Sequence, residues 1–131
     1  MNQKTGYWIT TLLFCVLFTF GGFANLLQIE AQKQIVTQLG YPLYFMTLLG
    51  MAKLIGVVIL IMPGFPRLKE WAYAGFTFVM LGAAFSHLEV ADPAYKIFIP
   101  LVIMCLGITS CALRPANRKL VADPSGRIMD D

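Results

Sequence analysis

The chain has 131 residues, of which 58% are hydrophobic and only 13% charged, with a net charge of +3 and a mean hydropathy of +0.71. A soluble domain is about half apolar and about a quarter charged, so this composition points to a membrane protein. The length leaves room for one domain over residues 1–131 and no second, and the small positive charge gives no reason to expect nucleic acid as a partner.

Four apolar segments are long enough to cross a bilayer as helices, which needs about 20 residues each. The first runs from about residue 7 to 27. It lacks a clear small-residue cleavage site and exceeds a typical signal core, so it reads as a retained span. Residues 28–41 mix Ile29, Lys33 and Val36 with four glutamines, as an extension of the first helix or a short interfacial helix would. Gly40 and Pro42 then supply a stop and a start. The second span, Pro42 to Met62, is halted by Pro63-Gly64-Phe65-Pro66. The third covers about 71–87. Gly75 and Gly82 share one of its faces and read as a packing seam, and Trp71, Tyr73, Phe76 and Phe78 as an interfacial belt or lipid-facing surface, with Tyr41 and Tyr44 as the belt on the other side. The fourth covers 93–113, with Asp92 as its expected N-cap, Pro93 at its first position and Pro100 near its start. A polar tail follows over 115–131, with disorder expected at its end.

The expected fold is all-α, a transmembrane four-helix bundle. Four spans put both termini on one side. Lys4, Arg67, Lys69, Arg114, Arg118, Lys119 and Arg127 fall on that side, against Lys33 and Lys96 on the other. This bias places both termini in the cytoplasm.

Lys53 is the one charge inside the second span and lies near its centre. Such a charge costs at least about 2.5 kcal/mol to insert. Gly50 and Gly56, three residues to either side, let another helix approach that face, so Lys53 is expected inside the bundle. Helical side chains lean toward the N-terminus, which tips Lys53 toward the outer half. Other polar groups gather there: Asn25, Gln28 and Glu30 near the outer end of the first span, Ser86 and His87 at the end of the third. They are expected to line one recess with Lys53, with Gln28 and Glu30 at its mouth. The inner half offers only Thr109 and Ser110 as a comparable pair. Each residue also has a structural reading: an ion pair for Lys53, interhelical hydrogen bonds for Asn25 and Gln28, an interface position for His87, a solvated charge for Glu30. Cys15, Cys105 and Cys111 read as small buried hydrophobes, with a Cys15–Cys105 redox pair the weaker alternative. The sequence shows no metal site, no phosphate loop and no nucleophile–base pair, so no catalytic residue is assigned and the chain reads as a non-enzyme by itself.

The runs Leu39-Gly40-Tyr41-Pro42-Leu43-Tyr44-Phe45, Gly50-Met51-Ala52-Lys53-Leu54-Ile55-Gly56, Pro63 through Phe76, and Gly82-Ala83-Ala84-Phe85-Ser86-His87 resemble the DoxX-like family of small bacterial membrane proteins. The resemblance implies a four-helix, multi-pass bundle in the bacterial inner membrane, without a well-established activity. Relatives include a subunit associated with thiosulfate:quinone oxidoreductase, proteins tied to thiol or oxidative-stress systems, and more distant helpers of membrane-protein assembly. Lys53, Ser86, His87 and the Pro66-Arg67-Leu68-Lys69-Glu70-Trp71 loop follow the family pattern. The first span does not: Asn25, in Gly21-Gly22-Phe23-Ala24-Asn25-Leu26, stands where many relatives carry a lysine.

The reading that results is a membrane subunit whose recess binds a quinone-like or small polar ligand for a redox-linked complex. Lys53 would face a carbonyl or anion, Ser86 and His87 would supply hydrogen bonds or a proton, and Asn25 and Gln28 would orient the ligand. No cofactor is fixed beyond that quinone. The expected partners are the bilayer, a soluble or membrane oxidoreductase subunit, and further copies of the chain. The alternatives are a non-enzymatic assembly or interaction protein and a small transporter or proton path. A reporter fused after Asp131 should behave as cytoplasmic, and periplasmic activity from that fusion would reverse the orientation.

Overall fold

The computed structural model describes residues 2–122 and 128–129. The chain forms α1 (Gln3–Leu26), α2 (Glu30–Gln38), α3 (Tyr44–Ile61), α4 (Pro66–Glu89) and α5 (Ala94–Ala112), then a short 3-10 turn at Ala116–Arg118. Two-residue strands, Val121–Ala122 and Ile128–Met129, pair antiparallel beyond it. The expected order or disorder of the remaining tail lies outside the described residues. Four helices, α1, α3, α4 and α5, are long and apolar enough to cross a membrane, and they form an all-helical bundle. The intervening residues 30–38 fold as a separate short helix, α2, rather than as an extension of α1.

Left-handed residues set the helix ends. At α2 the cap is a Schellman turn: Gly40 has φ 85° and Tyr41 N–H donates to Val36 O at 3.1 Å. The same turn closes α1 through Gln28 (φ 47°) and α4 through Ala91 (φ 54°). Both are non-glycine residues, at a cost of roughly 1–2 kcal/mol each. The turn at Ala91 folds Asp92 back so that its N–H meets His87 O at 3.0 Å. Asp92 is therefore not the N-cap of the last span; Pro93 holds that position and the helix starts at Ala94. The third span starts at Pro66, five residues earlier than expected. Left-handed Gly64 and Phe65 complete the reversal and the proline enters at the first helical position.

Glycines set how closely the helices cross. At the α1–α3 contact a Cβ on Gly50 would lie 2.8 Å from the Gly22 carbonyl oxygen, and one on Gly22 would lie 2.8 Å from Leu54. Gly56 and Gly107 instead receive phenyl rings, Phe76 and Phe14. These rings join Phe18 in a cluster with centroids 4.2–5.2 Å apart, the centre of a core that includes Cys15, Leu60, Tyr73 and Met80. Tyr73 and Phe76 are thus core residues, not a surface belt; Trp71 and Phe78 do face outward. Gly75 and Gly82 form no packing seam, since a Cβ on either would meet nothing within 4 Å. Among the four pairs of adjacent spans, α3 and α4 touch least.

The end of the bundle where the chain enters and leaves is rich in buried polar groups, contrary to the expectation of one Thr–Ser pair. Arg118 donates to the carbonyls of Leu60, Ile61 and Met62 at 2.7–3.0 Å and to Tyr7 Oη at 2.9 Å. It neutralises the orphan carbonyls at the C-terminus of α3. Lys69, fully buried, donates to Met62 O and Gly64 O and holds the α3–α4 turn. Arg114 pairs with Glu70. Ser110 links Thr11 (2.6 Å) to Tyr73 (2.8 Å) inside the bundle, whereas Thr109 donates to Cys105 O of its own helix. The three cysteines are free: Cys15 lies in the core, Cys105 is exposed and Cys111 is half-buried.

The Gly50 contact meets backbone, which does not yield. Gly50→Ala should lose about 1–3 kcal/mol by overpacking, whereas Gly75→Ala should lose none. Thermal denaturation in detergent reads the difference, and equal melting of the two variants would show that glycine does not limit the α1–α3 crossing.

Candidate functional site

Lys53 occupies the middle of α3 on the face that meets α1. Its ammonium passes over Gly21, where a Cβ would come within 3.4 Å of Nζ, and donates to Asn25 Oδ1 at 2.9 Å. Asn25 lies one residue before the end of α1 and is buried. The lysine leans toward the N-terminal end of its own helix, as helical side chains do. The Phe18 ring lies 6.0 Å from Nζ. Among the described residues no carboxylate faces the ammonium. One of its three donors is used, by a neutral acceptor.

The remaining side of Lys53 borders a cavity of about 510 Å³. Asn25, Lys53, Ser86 and His87, drawn from three spans, all line it. The walls are mostly apolar: Phe45 and Leu49 from α3, Phe78 and Val79 from α4, and Ile35 and Val36 from α2 with Leu39 at its C-cap, so that α2 covers the recess. That cover is not foreseen from the glutamine-rich sequence of α2, although Ile35, Val36 and Leu39 at helical spacing are its signal.

Ser86 and His87 are held by residues that the sequence reading gave other roles. Ser86 Oγ donates to Gly82 O at 2.7 Å, so it accepts from Tyr41 Oη, also 2.7 Å away. Tyr41 lines the recess instead of serving only as a belt aromatic. Asp92 Oδ2 lies 2.7 Å from His87 Nδ1 and leaves Nε2 as the ring nitrogen open to a ligand. Asp92 Oδ1 accepts from Lys96 at 3.1 Å and from Gln38 at 3.2 Å. Asp92 thus joins α2, α4 and α5 at the end of the bundle away from the termini. Hydrogen bonds from His87, then Lys96, hold its carboxyl below the usual carboxylate range. A helix N-cap was the only role legible for Asp92 in sequence.

Gln28 and Glu30 are not among the residues that line the recess. The left-handed turn at Gln28 removes it from the helical face it was expected to share with Asn25. Glu30 is exposed and pairs with Lys33 at 3.6 Å on α2, on a shallow surface separate from the recess. Among the described residues, no three His, Cys, Asp or Glu side chains converge as a metal centre would require.

Chemically, the recess offers one cation with spare donors, one oriented imidazole, two hydroxyls and the amides of Asn25 and Gln32, set in mostly apolar walls. This suits an amphipathic molecule with a carbonyl or anionic head. The pattern of the DoxX-like family matches residues 9–110, which include all four of these converging residues. No curated protein and no solved structure matches the chain.

Proposed function

The chain belongs to the DoxX-like family, and on that premise we propose that it binds a quinone-like head group in the recess at Lys53 as a subunit of a redox-linked complex of the bacterial inner membrane. The observation that carries the reading is the Lys53 ammonium: a charge at mid-span, met by one neutral acceptor at 2.9 Å and bordering an apolar cavity. A carbonyl oxygen beside Nζ would take a donor that the protein leaves over. His87 Nε2 is the group suited to exchange a hydrogen bond or proton with a second oxygen, because Asp92 fixes Nδ1. Tyr41 and Ser86, hydrogen-bonded to each other, add two hydroxyls to the same lining. The recess provides charge and hydrogen bonds, not paired thiols or a nucleophile, so the electron-transfer step is assigned to an oxidoreductase partner. The basic bias of the sequence supports the orientation with both termini in the cytoplasm and the recess toward the outer face.

Lys53→Met removes the charge and keeps the volume. It should still insert and fold, because the lost desolvation cost offsets the buried Asn25 Oδ1 that is left without its donor. It should bind a benzoquinone at least about tenfold more weakly, the scale of one charge-assisted hydrogen bond. Titration of quinone-dependent fluorescence quenching in detergent, beside a melting curve, measures both. Unchanged affinity, or unfolding with binding intact in the folded fraction, would make the lysine structural.

A further inference from the structure

The seam between α3 and α4 does not end at the recess. It continues along the inner halves of both helices as a second cavity of about 310 Å³. Leu49, Lys53 and Val79 line both chambers, so Lys53 stands at their junction. Apart from Lys53 and the Trp71 indole N–H, the side chains of the second chamber are apolar, among them Ile55, Ile59 and Leu68. Phe76, packed onto Gly56, also lines it. Gly75 contributes space: a Cβ there would meet nothing within 4 Å, while Gly22, Gly50, Gly56 and Gly107 are all filled by neighbours. From Leu49 to Ile59, α3 rises roughly 15 Å at ~1.5 Å per residue. That is about half the ~30 Å hydrocarbon thickness of a bilayer.

We infer that this groove is a tail channel, and that the ligand is a long-chain lipid quinone, not a water-soluble head group. The inference rests on the head-group site proposed above. With its carbonyl at Lys53, such a molecule has the α3–α4 groove directly below its head, and the chain lies along Ile55, Ile59 and Leu68. Two observations point to an occupant with one polar head and one apolar tail. The groove joins the polar recess at the one charged residue the two share, and its remaining lining carries no charge and no polar group but the Trp71 indole N–H. A tail leaving lipid for the groove gains no hydrophobic free energy, because lipid is equally apolar. The groove therefore fixes where the tail lies more than how tightly the ligand binds, and the test must read position.

The probe is a benzoquinone with a decyl chain ending in a diazirine, photolysed with the full-length protein in phospholipid nanodiscs. Labelled residues are mapped by peptide mass spectrometry. The expected labels fall on Ile55, Ile59, Leu68 or Trp71. Excess unlabelled decyl-benzoquinone should remove them, as should tail-less methyl-benzoquinone, which competes only for the head site. Gly75→Phe, built into open space, should reduce them severalfold while methyl-benzoquinone still binds. Labels that both quinones remove, but that fall on the exposed α5 residues Phe98 and Val102, would overturn the tail channel and leave the head site standing. Labels that neither quinone removes would overturn the head site and the channel with it.

Discussion

A lysine ammonium at the middle of an apolar helix has to be stabilised by the protein or removed by evolution. Insertion costs it at least about 2.5 kcal/mol. The Asn25 contact at 2.9 Å contributes about 1.5–3 kcal/mol as a hydrogen bond to a charged group. The Phe18 ring at 6.0 Å adds about 0.5–2 kcal/mol. The two contacts roughly offset the cost and leave donors over. The bundle's geometry follows from making them. Gly21 lets the lysine stem cross α1, and Gly22 and Gly50 bring the backbones close enough for Asn25 to reach Nζ. The tight α1–α3 contact and the looser α3–α4 seam together put the free side of the ammonium in a cavity.

The opposite end of the bundle treats its cations differently. Arg118 and Lys69 spend their donors on backbone carbonyls at the end of α3, and Arg114 on Glu70 and nearby carbonyls. These charges fasten the α3–α4 turn and the start of the tail to the bundle. Their hydrogen bonds are met within the chain, whereas Lys53 and His87 border an open space. That contrast between satisfied and available polar groups separates scaffold from site more clearly than burial does, because Lys69 is more buried than Lys53.

The spans were legible because bilayer thickness leaves few alternatives for long apolar runs, and the inward face of Lys53 was legible from Gly50 and Gly56. The convergence of Asn25, Lys53, Ser86 and His87 followed from depth along each helix. Three things were not legible. Gln28 and Ala91 adopt left-handed turns that ordinarily belong to glycine, so neither the displacement of Gln28 nor the return of Asp92 to His87 leaves a local sign. Lys69, Arg114 and Arg118 stand beside span ends, where solvated charges are the norm, and only tertiary structure brings carbonyls to them. Gly75 and Gly82 have the spacing of a packing seam, but spacing does not tell whether a neighbour fills the space.

The central claim is that the spare donors of Lys53 serve a bound carbonyl-bearing lipid. Mass spectrometry of organic extracts from the purified protein tests it most directly. The account predicts a quinone near one molecule per chain in the parent protein and its loss from a folded Lys53→Met variant. Equal quinone content in the two, or none in a parent protein purified gently from its own membranes, would contradict it.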